Sequence, residues 1–451
     1  PKANYAVEFW DEADHPLDRP LLGMPAESDW VFHAPYNFDP SLIHNPLAFE
    51  MSHRLSRYAP RYRFAEVFVN ASSSGGSVAS THYVGVYNIL EKIKRGPNRV
   101  DVDELRAGDL EQPEVTGGYM FKVDRVDPGD SGFSSGGRTL AYVDPKEEEM
   151  KSLERDPQEK YLAGYMNDFW RALSGANFTD PVRGYLPFID RGSWVDHHIV
   201  DTLTFNVDAL RLSSYLRKPR NGPLVYGPVW DYDRALGSTD GRDASPIVWG
   251  TGFFTDVWWT RLFRDPEFLQ AWIDRWQETR RGSLSNRNLN ELVDRFAGIV
   301  EESAERDFAK WRQTKRGRTQ AGEINYLKNW LWARANFMDT NFLSAPQLSR
   351  ASGYFGPGFQ IEISGAGGGG FYYTVDGSDP RLVGGRPSPS AQVYQGPIVL
   401  QKDTVFRVRA YDPDYNPRRL SNGPQITVPW SGVVQAEFLA TRPAMPGQII
   451  V

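Results

Sequence analysis

"TFNVDALRLSSYLRKPRNGPLVYGPVWDYD", Thr204 to Asp233, is the stretch on which the reading of the whole chain turns. An apolar run ends at Asp208 and is followed by an irregular ALRLSS. Two short strands turned by RNGP come next, and the acid pair Asp231 and Asp233 closes the second of them. Carboxylates are costly to bury unless something pairs with them. Two of them delivered inside an apolar run, directly after Trp230, predict a bound partner, a capped strand end, or ion pairs with Arg234 or Arg242. Ser213 stands five residues after Asp208, and Asp231 stands 23 residues after it across one hairpin.

That order of parts suits phosphoryl transfer. One Asp accepts the proton of the attacking hydroxyl, a nearby oxygen ligand holds a metal, and a second Asp one hairpin later clamps the metal to the phosphates. Protein kinases write this as H-R-D-x-x-x-x-N followed by D-F-G. Here the Asp spacing and the hairpin are present, the His-Arg is absent, and Ser213 occupies the Asn position. A pair of carboxylates on one strand face also suits a glycosidase. No repeating βα pattern and no second carboxylate cluster surrounds this one, which counts against that reading.

Composition narrows the classes. The chain has 451 residues, 40% of them hydrophobic, enough for two or three domains with ordinary cores. A net charge of −6 argues against a protein built to grip a nucleic-acid backbone. The absence of Cys removes disulfides, thiolate nucleophiles and thiolate metal sites together. No run is long and apolar enough to span a membrane. The start PKANYAVEF and the end GQIIV read as cuts through a longer protein, with targeting information expected upstream.

Residues 1–115 read as mixed strand and helix. NYAVEFW alternates like a strand, and DPSLIHNPLAFEMSHRL predicts a helix with Asp39 as N-cap and Pro40 in its first turn. RFAEVFVN and HYVGVYNILEKI predict two strands joined by the polar ASSSGGSVAS. Residues 116–345 read as helical around the Thr204–Asp233 hairpin. The best case runs over 287–311, where Leu289, Leu292, Val293, Phe296, Ile299, Val300, Phe308 and Trp311 keep a helical period. A second apolar face runs through Ile324, Leu327, Trp330, Leu331 and Met338. Residues 346–430 are rich in Gly, Pro and Ser with short alternating strands, which predicts a separate small β-sandwich. Residues 431–451 are expected to open a further, truncated unit.

Other candidates carry less. SGAGGGGF (Ser364–Phe371) lacks the Gly-Lys-Ser/Thr of a phosphate loop and reads as a hairpin. His197 and His198 are adjacent, so a helix would point them about 100° apart, one packed and one exposed. TVDGSDP reads as turn chemistry.

RFAEVFVN…HYVGVYNILEKI, GGYMFKVDR, TFNVDALRLSSYLRK, YGPVWDYDRALGS and WWTRLFRDPEFLQAWIDRW, in this order, resemble the CotH family of atypical, spore-coat-protein-H-like kinases over about residues 1–345. The resemblance implies an α+β fold. Residues 1–115 would be the N-lobe and 116–345 the helical C-lobe of a two-lobed kinase-like domain. It implies ATP with Mg²⁺ or Mn²⁺ as cofactors, and transfer of phosphate to Ser or Thr of a secreted or surface protein. Asp208 matches the family's catalytic-loop Asp, and Asp231 its metal-binding Asp, with Asp233 as the second acid. Ser213 replaces an Asn metal ligand, and a hydroxyl is a poorer ligand than an amide carbonyl. Glu91, Lys92 and Lys122 are nucleotide-contact candidates, and Lys2 is the candidate phosphate-binding Lys, just after a family loop that this sequence lacks. His44 stands where the family usually has Arg. Residues 346–430, with FYYTVDGSDP and VFRVRAYD, resemble the Ig-like C-terminal sandwich of chitobiases and hexosaminidases, a spacer or a module for glycan or protein contact. The implied location is extracellular or the bacterial cell surface, behind an upstream signal peptide. The alternative is a catalytically silent module for surface assembly or adhesion.

Overall fold

The computed structural model describes residues 2–72, 75–250, 252–312, 316, 319–365, 368–417 and 420–441. Helices α1 (His44–Arg54), α2 (Glu147–Met150), α3 (Asp156–Ser174), α4 (Arg191–Thr204), α5 (Trp259–Leu262), α6 (Pro266–Arg281), α7 (Asn286–Trp311) and α8 (Gln320–Asp339) fall among the strands, with α2–α4 and α5–α8 as runs that no strand interrupts. The chain divides into two compact units. The first comprises Pro1–Arg261, Ser283–Ala335 and Ser421–Gly423, and the second Leu262–Gly282, Asn336–Leu420 and Pro424–Val451. Among the described residues no helix is long and apolar enough to cross a membrane.

Among the described residues the first unit holds eleven strands: β1 (Tyr5–Glu8), β2 (Arg19–Leu21), β3 (Met24–Glu27), β4 (Asp29–His33), β5 (Tyr62–Phe68), β6 (Tyr83–Glu91), β7 (Tyr119–Val123), β8 (Phe133–Ser135), β9 (Arg138–Asp144), β10 (Ser214–Lys218) and β11 (Val225–Tyr226). β1-β4-β6-β5 form an antiparallel sheet whose core is Met24, Trp30, Ala34, Tyr87 and Ile89. The alternation read in RFAEVFVN and HYVGVYNILEKI is thus the β5–β6 pair. The connecting ASSSGGSVAS lies partly outside the described residues.

α7 packs on β6, with Leu289, Leu292, Val293, Phe296 and Val300 buried, while Ile299 of the same predicted stripe faces solvent. Arg306 of α7 pairs with Glu66 of β5, and the Trp311 indole donates to the Val84 carbonyl. Deeper in the contact, Lys2 Nζ lies 2.6 Å from Asp307 Oδ2, both side chains essentially buried. Gly85 lets the strand approach this pair. Its φ is +121°, and a Cβ there would lie 2.5 Å from the Asp307 carboxylate.

Three local expectations are corrected. The helix predicted from Asp39 begins at His44, because Leu42 has a left-handed φ of 70° that ends any helical run there. Asp39 still caps the turn: its carboxylate accepts from the Leu42 and His44 amides at 2.8 and 2.9 Å. Region 116–345 also carries a five-stranded antiparallel sheet, β11-β10-β7-β9-β8, and is not mainly helical near its start. β8 and β9 turn at Gly136 and Gly137, both with positive φ, as a two-residue hairpin requires. Finally, His197 and His198 are both buried on α4. His197 is paired with Asp201, and His198 bonds the Phe253 carbonyl at 2.8 Å, with burial holding its pKa down at about 4.

Among its described residues the second unit contains α6 and nine strands: β12 (Gln347–Leu348), β13 (Gly353–Phe355), β14 (Gln360–Ile361), β15 (Ile363–Ser364), β16 (Phe371–Thr374), β17 (Gln392–Val393), β18 (Ile398–Val399), β19 (Thr404–Ala410) and β20 (Val434–Ala440). Its main sheet runs β13-β20-β19-β16-β17 over a core of Phe355, Ile361, Phe406, Val408 and Phe438. β20 sits between β13 and β19, so the stretch expected to open a further unit at 431 supplies an interior strand of this one. The boundary at 345/346 also shifts: α6, with buried Trp272 and Trp276, belongs to the second unit. Arg409 joins Asp274 of α6 to Asp379, and Arg381 is bidentate to Glu267. In TVDGSDP, Asp376 accepts from the Ser378 amide and hydroxyl, the turn role expected of it.

Candidate active site

α4 is the base of the site. Asp190 caps it by accepting from the Ser193 amide at 2.6 Å, and every residue from Ser193 to Thr204 is buried. It stops where Phe205 turns left-handed, at φ 51°. The loop that follows is tightly specified. Asn206 Oδ1 accepts from the Asp208 amide at 3.1 Å, the Leu212 amide donates to the Asp208 carbonyl, and Ser214 Oγ accepts from the Leu210 amide. Leu210 and Ser213 are also left-handed, at φ 68° and 52°. Such residues cost about 1–3 kcal/mol each and persist only where their surroundings over-determine them.

The second arm comes off the β10–β11 hairpin. β11 is only Val225–Tyr226, so Asp231 and Asp233 lie beyond the strand, and Asp231 has φ 65°. A carboxylate on a strand would point across the sheet; this one is aimed by a turn. Two backbone bonds lace the arm to the Asp208 loop, Val207 N to Arg234 O at 3.3 Å and Leu236 N to Thr204 O at 2.7 Å. The Tyr232 amide donates to Asn45 Oδ1 of α1, and its hydroxyl donates to Asp201 Oδ1 of α4 at 2.5 Å. Tyr232 is thereby a buried pin between its two acidic neighbours.

These constraints bring acids together. Ser213 Oγ donates to Asp231 Oδ2 at 3.3 Å. Asp231 is exposed to solvent, yet protein atoms crowd around its carboxylate. That crowding raises its pKa first, and the charges of Asp208 and Asp124 raise it further. Asp233, more enclosed, is pushed up to about 7 by burial, then by the charges of Asp231 and Asp39. Asp208 Oδ1 accepts from Arg211 at 2.5 Å and from Arg242 at 3.2 Å, which balances its charge. Among the described residues no three His, Asp or Glu side chains close on a common metal position. Mg²⁺, however, characteristically takes one or two carboxylates and completes its shell with phosphate oxygens and water. Asp231 and the Ser213 hydroxyl are such a partial set.

A family profile described as CotH kinase protein matches residues 1–338, three-quarters of the chain. The chain belongs to the CotH kinase family. A second profile, described as Fn3 associated, matches residues 360–424, so a CotH domain is followed by a β-rich C-terminal domain. No curated protein matches the chain.

Within this CotH domain, Asp208, Ser213, Asp231 and Asp233 share one neighbourhood. Lys122 stands on β7, paired with Asp124 at 3.1 Å, and Asp124 acts on Asp231. Three other candidates lie elsewhere. Lys2 spends its ammonium on Asp307 and on the carbonyls of Pro35 and Val86, and burial lowers its pKa. Glu91 is buried and accepts from Tyr58, Arg61 and Arg99. Lys92 is exposed and paired with Asp29. Residues that sequence reading passed over include Asn206, Tyr232, Asp201 and Asp124. Asp124 lies just past the end of β7, two residues after Lys122; Arg242, expected beside the Asp231–Asp233 pair, bonds Asp208 instead. His44, on α1, bonds the Asp233 carbonyl through Nδ1 and lies 3.4 Å from Asp39 through Nε2.

Proposed function

We propose that the protein is a kinase that uses ATP with Mg²⁺ or Mn²⁺ and phosphorylates Ser or Thr of a secreted or surface protein at the Asp208–Asp231 site. The observation that carries this reading is the meeting of two independent loops, both in left-handed turns, that set carboxylates against each other around a hydroxyl. Such an arrangement is costly on its own and is relieved by a cation. In this reading Asp208 orients the acceptor hydroxyl and takes its proton. Asp231 and Ser213 hold the metal, Asp233 supports them, and Lys122 is the cation nearest to the phosphates. Bound metal would supply charge neutralisation for the transferring phosphoryl group. Lys2, Glu91 and Lys92 each serve another pair outside this neighbourhood, and this reading gives them no nucleotide role. The C-terminal domain resembles a chitobiase-type sandwich and fits a spacer or contact module.

One observation favours the second reading, a CotH module that binds without turning over. Two guanidinium groups hold the same oxygen of Asp208, and Ser213 is a weak ligand. Calorimetric titration of ATP with and without Mg²⁺ tests the site itself. Metal-dependent binding that Asp231→Asn abolishes is expected, and undiminished binding in that variant would refute the metal assignment.

A further inference from the structure

Two arginines bond Asp208, and they are themselves held differently. Arg211, three residues on in the same loop, is more than half exposed and also donates to the Val207 carbonyl. Arg242 comes from the loop that follows the Asp231 arm, and that loop is fixed at its root. The buried Asp243 carboxylate accepts from the Ser238 amide at 2.7 Å and from its hydroxyl at 3.0 Å, and the Trp330 indole donates to the Asp243 carbonyl. The Thr239 amide donates to the Phe38 carbonyl. The Asp240 side chain, only 9% exposed, accepts from Arg242 through both oxygens, from Nε on Oδ1 and from a terminal nitrogen on Oδ2 at 2.9 Å. Asp240 also accepts from Arg234, whose guanidinium lies 4.0 Å from the centre of the Phe38 ring. A planar guanidinium bound bidentately is fixed in orientation. The remaining terminal nitrogen of Arg242 is thereby aimed at Asp208 Oδ1, 3.2 Å away.

Both guanidinium groups bond the same oxygen. Asp208 Oδ2 makes no hydrogen bond among the described residues, so the carboxylate is tied at one end and open at the other. We propose that Arg242, set in place by Asp240, is the positioning residue that presents Asp208 Oδ2 to the acceptor hydroxyl. This rests on the kinase reading. In the step it serves, the hydroxyl oxygen bonds the γ-phosphorus of ATP as the bond to the ADP oxygen breaks, and the hydroxyl proton passes to Oδ2. Arg242 stays on Oδ1 throughout and takes no proton. A general base works only within hydrogen-bond reach of the proton it takes, and a misplacement of about 1 Å can cost about 100-fold in rate. A guanidinium that merely silenced Asp208 would have the opposite sign, since its removal would speed transfer.

The test measures transfer from γ-labelled ATP to a Ser/Thr-rich acceptor protein, with ATP affinity read by calorimetry on the same full-length chains. Arg242→Gln should lower kcat about 100-fold and leave the Kd for ATP unchanged. Arg242→Lys should restore little, because an ammonium keeps the charge without the fork. Asp240→Asn should also lower kcat, and adding it to Arg242→Gln should cost nothing more, since the two residues act as one device. Arg211→Gln should cost less than Arg242→Gln. Arg171→Gln, at an exposed arginine paired to Asp168, should leave transfer unchanged. In crystals, the Asp208 carboxylate should hold one orientation in the wild type and lose it in Arg242→Gln. Transfer by Arg242→Gln equal to or above that of the wild type overturns the proposal, as does full rescue by Arg242→Lys. A wild type that transfers no more label than Asp208→Asn defeats the kinase reading itself, and this proposal with it.

Discussion

Replacing Asp233 by Asn isolates the electrostatic cost built into the site. The Asp233 carboxyl is raised from 3.8 to about 7, chiefly by burial and then by Asp231. A carboxylic acid whose folded pKa lies above its unfolded value binds its proton more tightly when folded. Its contribution is therefore full below about pH 4, falls as pH rises, and is lost above about pH 7. At 1.36 kcal/mol per pKa unit the rise corresponds to about 4 kcal/mol, and sharing with Asp231 brings the expected effect to about 2–4 kcal/mol. Asn keeps the shape and cannot ionise. In metal-free buffer, Asp233→Asn should match the wild type at pH 4 and be more stable by that amount at pH 8. Urea unfolding followed by tryptophan fluorescence at the two pH values reads this directly. A variant that is less stable at pH 8, or equally stabilised at both, would refute the claim that ionised Asp233 is a burden the fold carries for function.

Other consequences are equally specific. Saturating ATP and Mg²⁺, at 100 times the dissociation constant, should stabilise the wild type by about 2.7 kcal/mol in thermal melts, and Asp231→Asn should lose this metal-dependent gain. Lys2→Met takes the ammonium away from buried Asp307, leaving its charge to the Val86 amide, and should cost about 3–5 kcal/mol; adding Asp307→Leu should recover part of it in urea titrations. In the second unit, Arg409→Leu uncouples Asp274 and Asp379 and should destabilise by about 3–5 kcal/mol, read as a lower unfolding midpoint. Glu91→Gln should lower stability and leave the Kd for ATP unchanged, because the carboxylate serves Arg61 and Arg99.

What was legible in the chain followed from periodicity. The alternation of β5 and β6 and the helical stripe of α7 are local signals, and each became the element it predicted. The α1 start was misplaced because two prolines, Pro40 and Pro46, both suit a first turn, and only the left-handed Leu42 decides between them. β8 and β9 were overlooked, although Ser135-Gly136-Gly137-Arg138 carries the hairpin signature. β20 was assigned to a further unit because a strand does not announce its sheet; its partners β13 and β19 lie 81 and 30 residues earlier, counted from Gly353 and Thr404 to Val434. The acids of the candidate site were singled out by spacing. Their setting was not, because the pins that aim Asp231, Asn45 and Asp201, come from helices far away in sequence. Lys2 and Glu91 show the converse. Family position marked them, but burial and ion pairing commit them to other partners.

The central claim is that Asp208 and Asp231 are the two halves of one phosphoryl-transfer site. Incubating the protein with γ-labelled ATP and Mn²⁺, alone and with a Ser/Thr-rich acceptor protein, tests it most directly. Labelled protein is predicted for the wild type. Asp208→Asn should bind ATP and metal with wild-type affinity and leave protein unlabelled. Equal labelling by Asp208→Asn and the wild type, or metal-dependent ATP binding with no transfer by either, would contradict the account.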